Sequence, residues 1–365
     1  MLTQLRFLCD RQSVTGGTLP TIRELSSDYG VSTRIAHSVL QALQKEGLVS
    51  STRGSGTTVV TRRFSKDEVF LYAIVSRKHP HILTSENREL LGFTDRMAEL
   101  GALVLSGDDS TGFIEEVENN GVQCRGMFAN TWDPILSQRR LPLYSFPVVG
   151  FLEHSDPSTD DSVRWDDESG GRLATEHLLS FGHESVAFIG AFGQWEDWSV
   201  ARATGYQAAM DDVRNGSKSR ILEFDVPRDR DDDLIRMGEE SARILWDAGL
   251  PNAVVAANDL VAVSFLRELS RLECPLIRWP AIMGFDDELK FCGQPISSMR
   301  MDNEIVGRAA ADLLWKRTHG QLTGPPTVTR LPPRLVPRVT SQPGWAYRLH
   351  RIFAGFPSLS VDNAV

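Results

Sequence analysis

The sequence predicts an α/β protein: a small module of helices and a hairpin at the front, then two lobes built on doubly wound parallel sheets. Three observations carry this. Residues 19–60 hold two capped helical periods followed by a Gly-rich hairpin. From residue 69 onward short apolar runs alternate with helical stretches, the pattern of parallel strands covered on both faces. At 365 residues, finally, the chain exceeds one typical domain.

Leu2 to Asp10 suits a first helix, with Gly16 and Gly17 in the loop after it. Thr21 with Glu24 forms a capping box, so a helix starts there. Ile22, Leu25 and Tyr29 share one face of it until Gly30 permits a left-handed turn. Ser32 caps a second helix to about Glu46, with Ile35, Ala36, Val39, Leu40 and Leu43 read as one apolar stripe. Thr33, Arg34, His37 and Ser38 are left pointing outward near its N-terminal end. Two helices and such a turn are the arrangement that lays the second helix in a major groove. After Gly47, LVSS and TTVV read as two strands around TRGSG. This is a wing whose Arg53 and bare Gly54 amide suit phosphate or minor groove.

Charge is distributed to match. The chain carries net −9, yet residues 1–63 hold eight Lys/Arg against four Asp/Glu, leaving −13 for the remainder. A basic front binds nucleic acid and an acidic body stays off it. TRRFSKD, residues 61–67, is a polar basic linker. Cys9, Cys124, Cys274 and Cys292 lie far apart without metal-ligand spacing, so they read as thiols in a reducing compartment with no metal site. The first twenty residues lack an apolar signal core, and no run of eighteen apolar residues occurs. A cytoplasmic protein is expected.

Beyond the linker, VFLYAIV is a strand (69–75), then come a helix over 86–100, a strand over 102–106, a helix over 111–120 and strands over 126–130 and 146–151. VRWD, a helix over 168–181, VAFIGAF, a helix over 201–213 and ILEFDV follow. The series continues with a helix over 231–248, AVVAAN, a helix over 260–272 and AIMGFD. So many βα units predict two lobes with a cleft, ligands binding at strand C-terminal ends. The expected division is 1–63 for the DNA reader, 64–68 for the linker and 69–340 for the lobes. The first lobe takes about 69–181 and 302–322, the second about 182–301. Residues 341–365 are a tail, loosely structured or packed on the body.

The front module resembles the DNA-binding domain of GntR-type regulators, whose pattern is a Leu-Pro-Ser-x-Arg-x-Leu start, a Val-Ser-Arg-x-Thr-Val-Arg recognition helix and an Arg-x-Gly-x-Gly-Thr wing. Leu19, Pro20, Arg23, Leu25, Val31, Ser32, Leu40, Leu43, Gly47, Leu48, Gly54, Gly56 and Thr57 fit it. The departures fall on the DNA side: Thr33 and His37 stand where the family commonly has arginines, with Arg34 between them. The resemblance implies that Arg23 touches the DNA backbone.

Four further patterns resemble the effector domain of LacI-type repressors, which shares its two-lobed fold with periplasmic sugar receptors. They are DDESGGRLATEHLLSFGHESVAFIG, SVARATGYQAAM, AVVAANDLVAVSFL, and AIMGFDDELKF with SSMRMDNEIVGRAAADLL after it. The resemblance implies Arg202 as a cationic clamp on the ligand, Asn258 and Asp286 as hydrogen-bonding partners of its hydroxyls, and Ser169 at a further ligand position. A planar fork of donors suits vicinal hydroxyls or a carboxylate. Arg202 has an alternative as a structural bridge to Asp197 or Asp286, and Asp259 as a helix cap. Trp195 and Trp198 are candidates to stack on a sugar face or are simply packed.

Gly170-Gly171 lacks the flanking pattern of a nucleotide loop, so no cofactor is expected. His177 and His183 read as structural and the acid run 229–233 as a solvated loop. With no carboxylate pair, nucleophile-base set or metal cluster placed for chemistry, an enzyme is not expected. The reading is a ligand-responsive transcriptional regulator, by family habit a repressor. Its partners are double-stranded operator DNA, a carbohydrate-like effector and a second copy of itself, with no membrane. The alternative is a sugar-binding receptor without a DNA role.

Overall fold

The computed structural model describes residues 2, 5, 9, 18–52, 56–60, 69–75, 88–108, 122–131, 146–151, 161–192, 197–213, 218–225, 231–287 and 296–354. Arg53, Gly54, Trp195, the linker and the helix expected over 111–120 lie outside these residues. The chain divides into two compact units, Met1–Val163 with Asn303–Thr329, and Arg164–Asp302 with Arg330–Val365.

In the N-terminal module, α1 (Ile22–Asp28) starts at the Thr21 capping box: the Thr21 amide donates to Glu24 Oε2 at 2.7 Å and the Glu24 amide to Thr21 Oγ1 at 3.3 Å. The Thr21 backbone bond holds the Glu24 carboxyl below its usual range. Gly30 takes φ +60° in the turn. α2 (Thr33–Lys45) follows, with Ser32 Oγ accepting from the Ile35 amide. β1 (Val49–Thr52) and β2 (Gly56–Val59) pair antiparallel, and the Leu19 amide donates to the Thr57 carbonyl. Leu5, Cys9, Leu25, Ala36, Leu40, Leu43, Val49 and Val59 close the core. Two expectations fail here. Tyr29, read as sharing one helical face with Ile22 and Leu25, closes α1 at its C-cap and stands 37% exposed. Ile35, read as part of the apolar stripe, is 51% exposed. It sits about 100° around the helix from buried Ala36, off the line of Ala36, Leu40 and Leu43.

The first unit's sheet contains β3 (Val69–Val75), β4 (Leu103–Asp108), β5 (Cys124–Thr131), β6 (Val148–Phe151) and β7 (Asp161–Trp165), in spatial order β7-β6-β5-β3-β4 with parallel pairing. The second unit's sheet contains β8 (Ser185–Ala191), β9 (Lys218–Phe224), β10 (Ala253–Ala256), β11 (Ala281–Asp286) and β12 (Ser297–Arg300), ordered β12-β11-β10-β8-β9, again parallel. Both sheets reverse direction of winding beside their first strand, the switch point outside whose strand C-terminal ends ligands bind in open parallel sheets.

One packing device occurs in each unit. In the first, α3 (Arg88–Glu99) crosses α8 (Asn303–Thr318) so closely that a Cβ at Gly92 would strike the Glu304 carbonyl and one at Gly307 the Glu89 carbonyl. In the second, α4 (Asp167–Ser180) crosses α5 (Asp197–Asp211) with Gly171 against the Arg202 carbonyl and Gly205 against that of Glu168. This explains Gly171; Gly170 beside it in the same helix instead faces the Pro333 and Phe285 side chains. The crossing also moves the first change of unit from the expected 181 to Val163/Arg164, because α4 packs on α5 within the second unit.

The Pro-rich end is more ordered than its composition suggests. β13 (Val328–Leu331) joins the first sheet beside β7, and β14 (Arg334–Val336) pairs antiparallel with β12. A last helix, α9 (Trp345–Ala354), occupies part of the expected loose tail. Trp345 is buried against Trp279 and donates from Nε1 to the Pro280 carbonyl at 2.9 Å. Between β14 and α9, Ser341 is buried under two imidazoles: His177 Nε2 lies 2.9 Å from its Oγ and His183 Nε2 lies 3.2 Å from its carbonyl oxygen.

Burial lowers both histidine pKa values, and His183 lowers that of His177 further. A neutral folded imidazole protonates less readily than an unfolded one. Its contribution is therefore complete above the unfolded value of about 6.5 and is lost as pH falls below that toward the folded values. The denaturation midpoint of the second unit should fall between pH 7.5 and 5.5, and by less in His183→Gln; equal falls would remove His183 from the pH response.

Candidate functional site

Two surfaces collect the residues singled out by sequence. On the N-terminal module, Arg23, Ser32, Thr33, Arg34 and His37 are all exposed. Arg23 sits in the first turn of α1, whereas the other four occupy the cap and first turns of α2. Ser32 is committed locally through its cap bond to Ile35. Its hydroxyl can still donate its own proton at the helix start, where the helix macrodipole and amides favour phosphate. The set suits a groove lined with acceptors and negative charge.

In the second unit the site is built around one guanidinium. Tyr206 anchors α5: its hydroxyl donates to the Val186 carbonyl at 2.8 Å and accepts from the Arg220 amide at 2.9 Å, and burial pushes its pKa up to about 12. One helical turn earlier Arg202 emerges on the same face and is only 5% exposed. Its Nε donates to Asp167 Oδ1 at 2.7 Å and its Nη1 to the Ala257 carbonyl at 2.6 Å. Nη2 lies 3.0 Å from Met301 Sδ and 3.9 Å from Asp286 Oδ1. The ring centroids of Phe285 and Trp198 stand 4.3 and 4.6 Å from the guanidinium carbon, two cation–π contacts.

Arg202 thus meets Asp286, which ends β11, and the Ala257 carbonyl just after β10, with Asn258 the next residue in the chain. The structural bridge is with Asp167; Asp286 is the more distant partner. Asn258, rather than Asp259, caps α7 (Asp259–Arg271), the helix after α6 (Asp231–Ala248), its Oδ1 accepting from the Val261 amide at 2.9 Å. What Asn258 can offer a ligand is its amide nitrogen, with two donors. Asp259 is buried and accepts from Ser298 Oγ at 2.8 Å.

Asp286 and Asp287 adopt φ of +90° and +52°, a backbone region that costs non-glycine residues about 1–3 kcal/mol each. The surroundings hold that shape. The Asp287 amide donates to Ser298 Oγ at 3.1 Å, and its carboxylate receives Arg300 Nε at 2.7 Å and Arg338 Nη2 at 2.6 Å. Burial pushes the Asp287 carboxyl up, but the two guanidiniums outweigh burial and hold it below the usual range. Fixed in this way, β11 ends on Asp286, whose side chain is 36% exposed.

Ser169 has a local role: its amide and Oγ donate to Asp166, at 3.2 and 2.7 Å, in the first turn of α4. Asp167, Phe285, Met301 and the Asp287 network were missed by sequence. Asp167 reads as an ordinary first-turn acid of a helix, and its partner lies far along the chain. Among the described residues no cluster of His, Cys, Asp or Glu could hold a metal ion, and no helix is long and apolar enough to cross a membrane.

Comparison with known proteins adds two domain matches. Residues 8–59 match bacterial regulatory proteins of the gntR family, and residues 175–341 match the periplasmic binding protein-like domain. The HTH-type transcriptional repressor MelR of Bacillus subtilis is 30% identical over 199 residues, covering 52% of this chain and 55% of that protein. This chain therefore spans about half the length of that relative. The HTH-type transcriptional regulator GntR of Pseudomonas aeruginosa is 26% identical over 318 residues, 84% of this chain and 91% of that protein. A LacI family transcriptional regulator from Enterococcus faecium, solved with bound ribose, superposes with a TM-score of 0.55 at 20% identity over 76% of this chain and 99% of that one. At that identity the likeness shows the fold.

Asp167→Ala leaves the Arg202 charge buried without its closest carboxylate and is expected to destabilise the second unit by about 3–5 kcal/mol. Ser169→Ala removes one local bond, about 1 kcal/mol. Urea unfolding followed by tryptophan fluorescence checks both; comparable losses would contradict the ranking.

Proposed function

We propose that this chain, which joins a GntR-type winged helix to a LacI-type periplasmic-binding-protein-like domain, is a ligand-responsive DNA-binding regulator of transcription. The observation that carries the reading is the union in one chain of an exposed polar recognition helix and a pre-set guanidinium–carboxylate–amide group at the ends of parallel strands. A receptor for sugar alone has no use for the first, and a DNA-binding protein without an effector has no use for the second.

The recognition helix reads base edges through Thr33, Arg34 and His37, while Arg23 and the wing, with Arg53 and Gly54, hold phosphate. A homodimer presents two such helices to a near-palindromic operator, with half-sites about one helical turn apart. The effector is a sugar or related polyol: Asp286 accepts from hydroxyls, the Asn258 amide donates, and the Nη2 edge of Arg202 donates. Trp195 or Trp198 can cover an apolar ring face. Ser169 is a secondary contact. The protein acts by binding, as a repressor, and an effector alters DNA affinity only by preferring one of two states.

Arg23→Ala should weaken binding to every duplex alike and reduce the slope of log K against log salt by roughly one counterion. An unchanged slope would take Arg23 off the phosphate. For the ligand side, a thermal-shift screen of the full chain uses D-ribose and a panel of other mono- and disaccharides, sugar acids and nucleobases. A ligand at a hundred times its Kd should stabilise by about 2.7 kcal/mol. Asp286→Ala should abolish the shift given by the best compound while DNA affinity without it stays unchanged. A retained shift would place the effector elsewhere.

A further inference from the structure

The DNA-facing end of α2 carries one side chain that polar recognition does not account for. Ile35 is 51% exposed and takes no part in the module's core, which is closed by Ala36, Leu40 and Leu43 on the same helix. It stands among exposed polar neighbours, Thr33, Arg34, His37 and Ser38. Where the family pattern has a threonine, this chain places a purely apolar group. The module's core does not use Ile35, so its apolar surface is available to whatever the start of α2 meets.

A partner chemistry follows from what that face meets. Major-groove edges offer acceptors, donors and a single apolar group, the C5-methyl of thymine. Ile35 can neither donate nor accept a hydrogen bond, so polar base atoms gain nothing from it. It is also well prepared for a methyl contact. Its amide is fixed by Ser32 Oγ at 3.3 Å, and a β-branched side chain in a helix is largely confined to one χ1 rotamer. Little ordering entropy is then lost on docking.

We propose that Ile35 is a specificity-determining residue that packs on the C5-methyl of one thymine in each half-site. This rests on the reading of α2 as the recognition helix. Arg34 and His37, on either side in sequence, supply the hydrogen bonds and charge that position the helix, and Ile35 adds discrimination for an A·T pair at one step.

The test uses the full chain. A duplex is selected from a random-sequence library, and each thymine of the selected site is then replaced singly by uracil, which removes only the methyl group. For the unaltered protein, one replacement per half-site should weaken binding about fourfold, the effect of one buried methyl-sized group. The same replacement should have no effect on Ile35→Ala, whose fold is checked by its melting curve, and Ile35→Thr should give an intermediate loss. Uracil without effect at every position, or the same loss in Ile35→Ala, overturns the proposal. So does an Ile35→Ala variant with unchanged DNA binding but weakened self-association, which would make Ile35 a protein contact. Failure to enrich any duplex would instead overturn the DNA-binding reading itself.

Discussion

The second unit depends on a buried cation being fully accounted for. A guanidinium 5% exposed is tolerable only where its charge and its donors find partners. Asp167 supplies the charge, the Ala257 carbonyl a second acceptor, and two aromatic rings cation–π contacts. Each of these partners arrives from a different place in the fold: Asp167 from α4, Ala257 from just after β10, Phe285 from β11 and Trp198 from α5 itself. The arginine therefore fixes the mutual positions of those elements. It also limits what a ligand can take, because Nε and Nη1 already donate within the protein, whereas Nη2 faces the weak acceptor Met301 Sδ and lies 3.9 Å from Asp286 Oδ1.

The close helix crossings make that arrangement possible. Arg202 contributes its side chain to the site and its carbonyl to the contact with Gly171, so the helix cannot withdraw without opening both. The first unit repeats the geometry with Glu89, Gly92, Glu304 and Gly307, each glycine three residues after the carbonyl-bearing position. The repetition of device and strand order marks the two lobes as variations on one packing solution. Only the second fills the carbonyl-bearing position with an arginine.

Sequence made a large part of this legible, for identifiable reasons. Helix caps are local, so Thr21, Glu24 and Ser32 announced themselves within four residues. Buried parallel strands are continuous apolar runs, so VFLYAIV and AIMGFD fell where expected. Periodicity misled where the stripe was one residue too wide. Ile35 and Ala36 are adjacent in sequence, yet adjacent residues face directions about 100° apart and only one can point inward. The polar strands β13 and β14 were invisible because edge strands in a Pro-rich stretch carry no apolar signature. The Arg202–Asp167 pair was missed because an ion pair between helices leaves no spacing to read.

The strained end of β11 ties the candidate ligand group to the C-terminal segment. Asp287 is gripped by Arg338, the Arg338 carbonyl accepts from Ser297 Oγ and Ser341 Oγ, and Ser341 is in turn gripped by His177 and His183. This is one contiguous polar network within the second unit, in which satisfied members support one another and a missing member is expensive. Backbone strain at Asp286 and Asp287 persists only because that network over-determines it. The segment from Arg330 onward therefore does more than finish the chain. By clamping Asp287 it sets the direction in which the Asp286 carboxylate leaves the sheet, and any occupant hydrogen-bonded to that carboxylate is linked by contact to residues some fifty positions later.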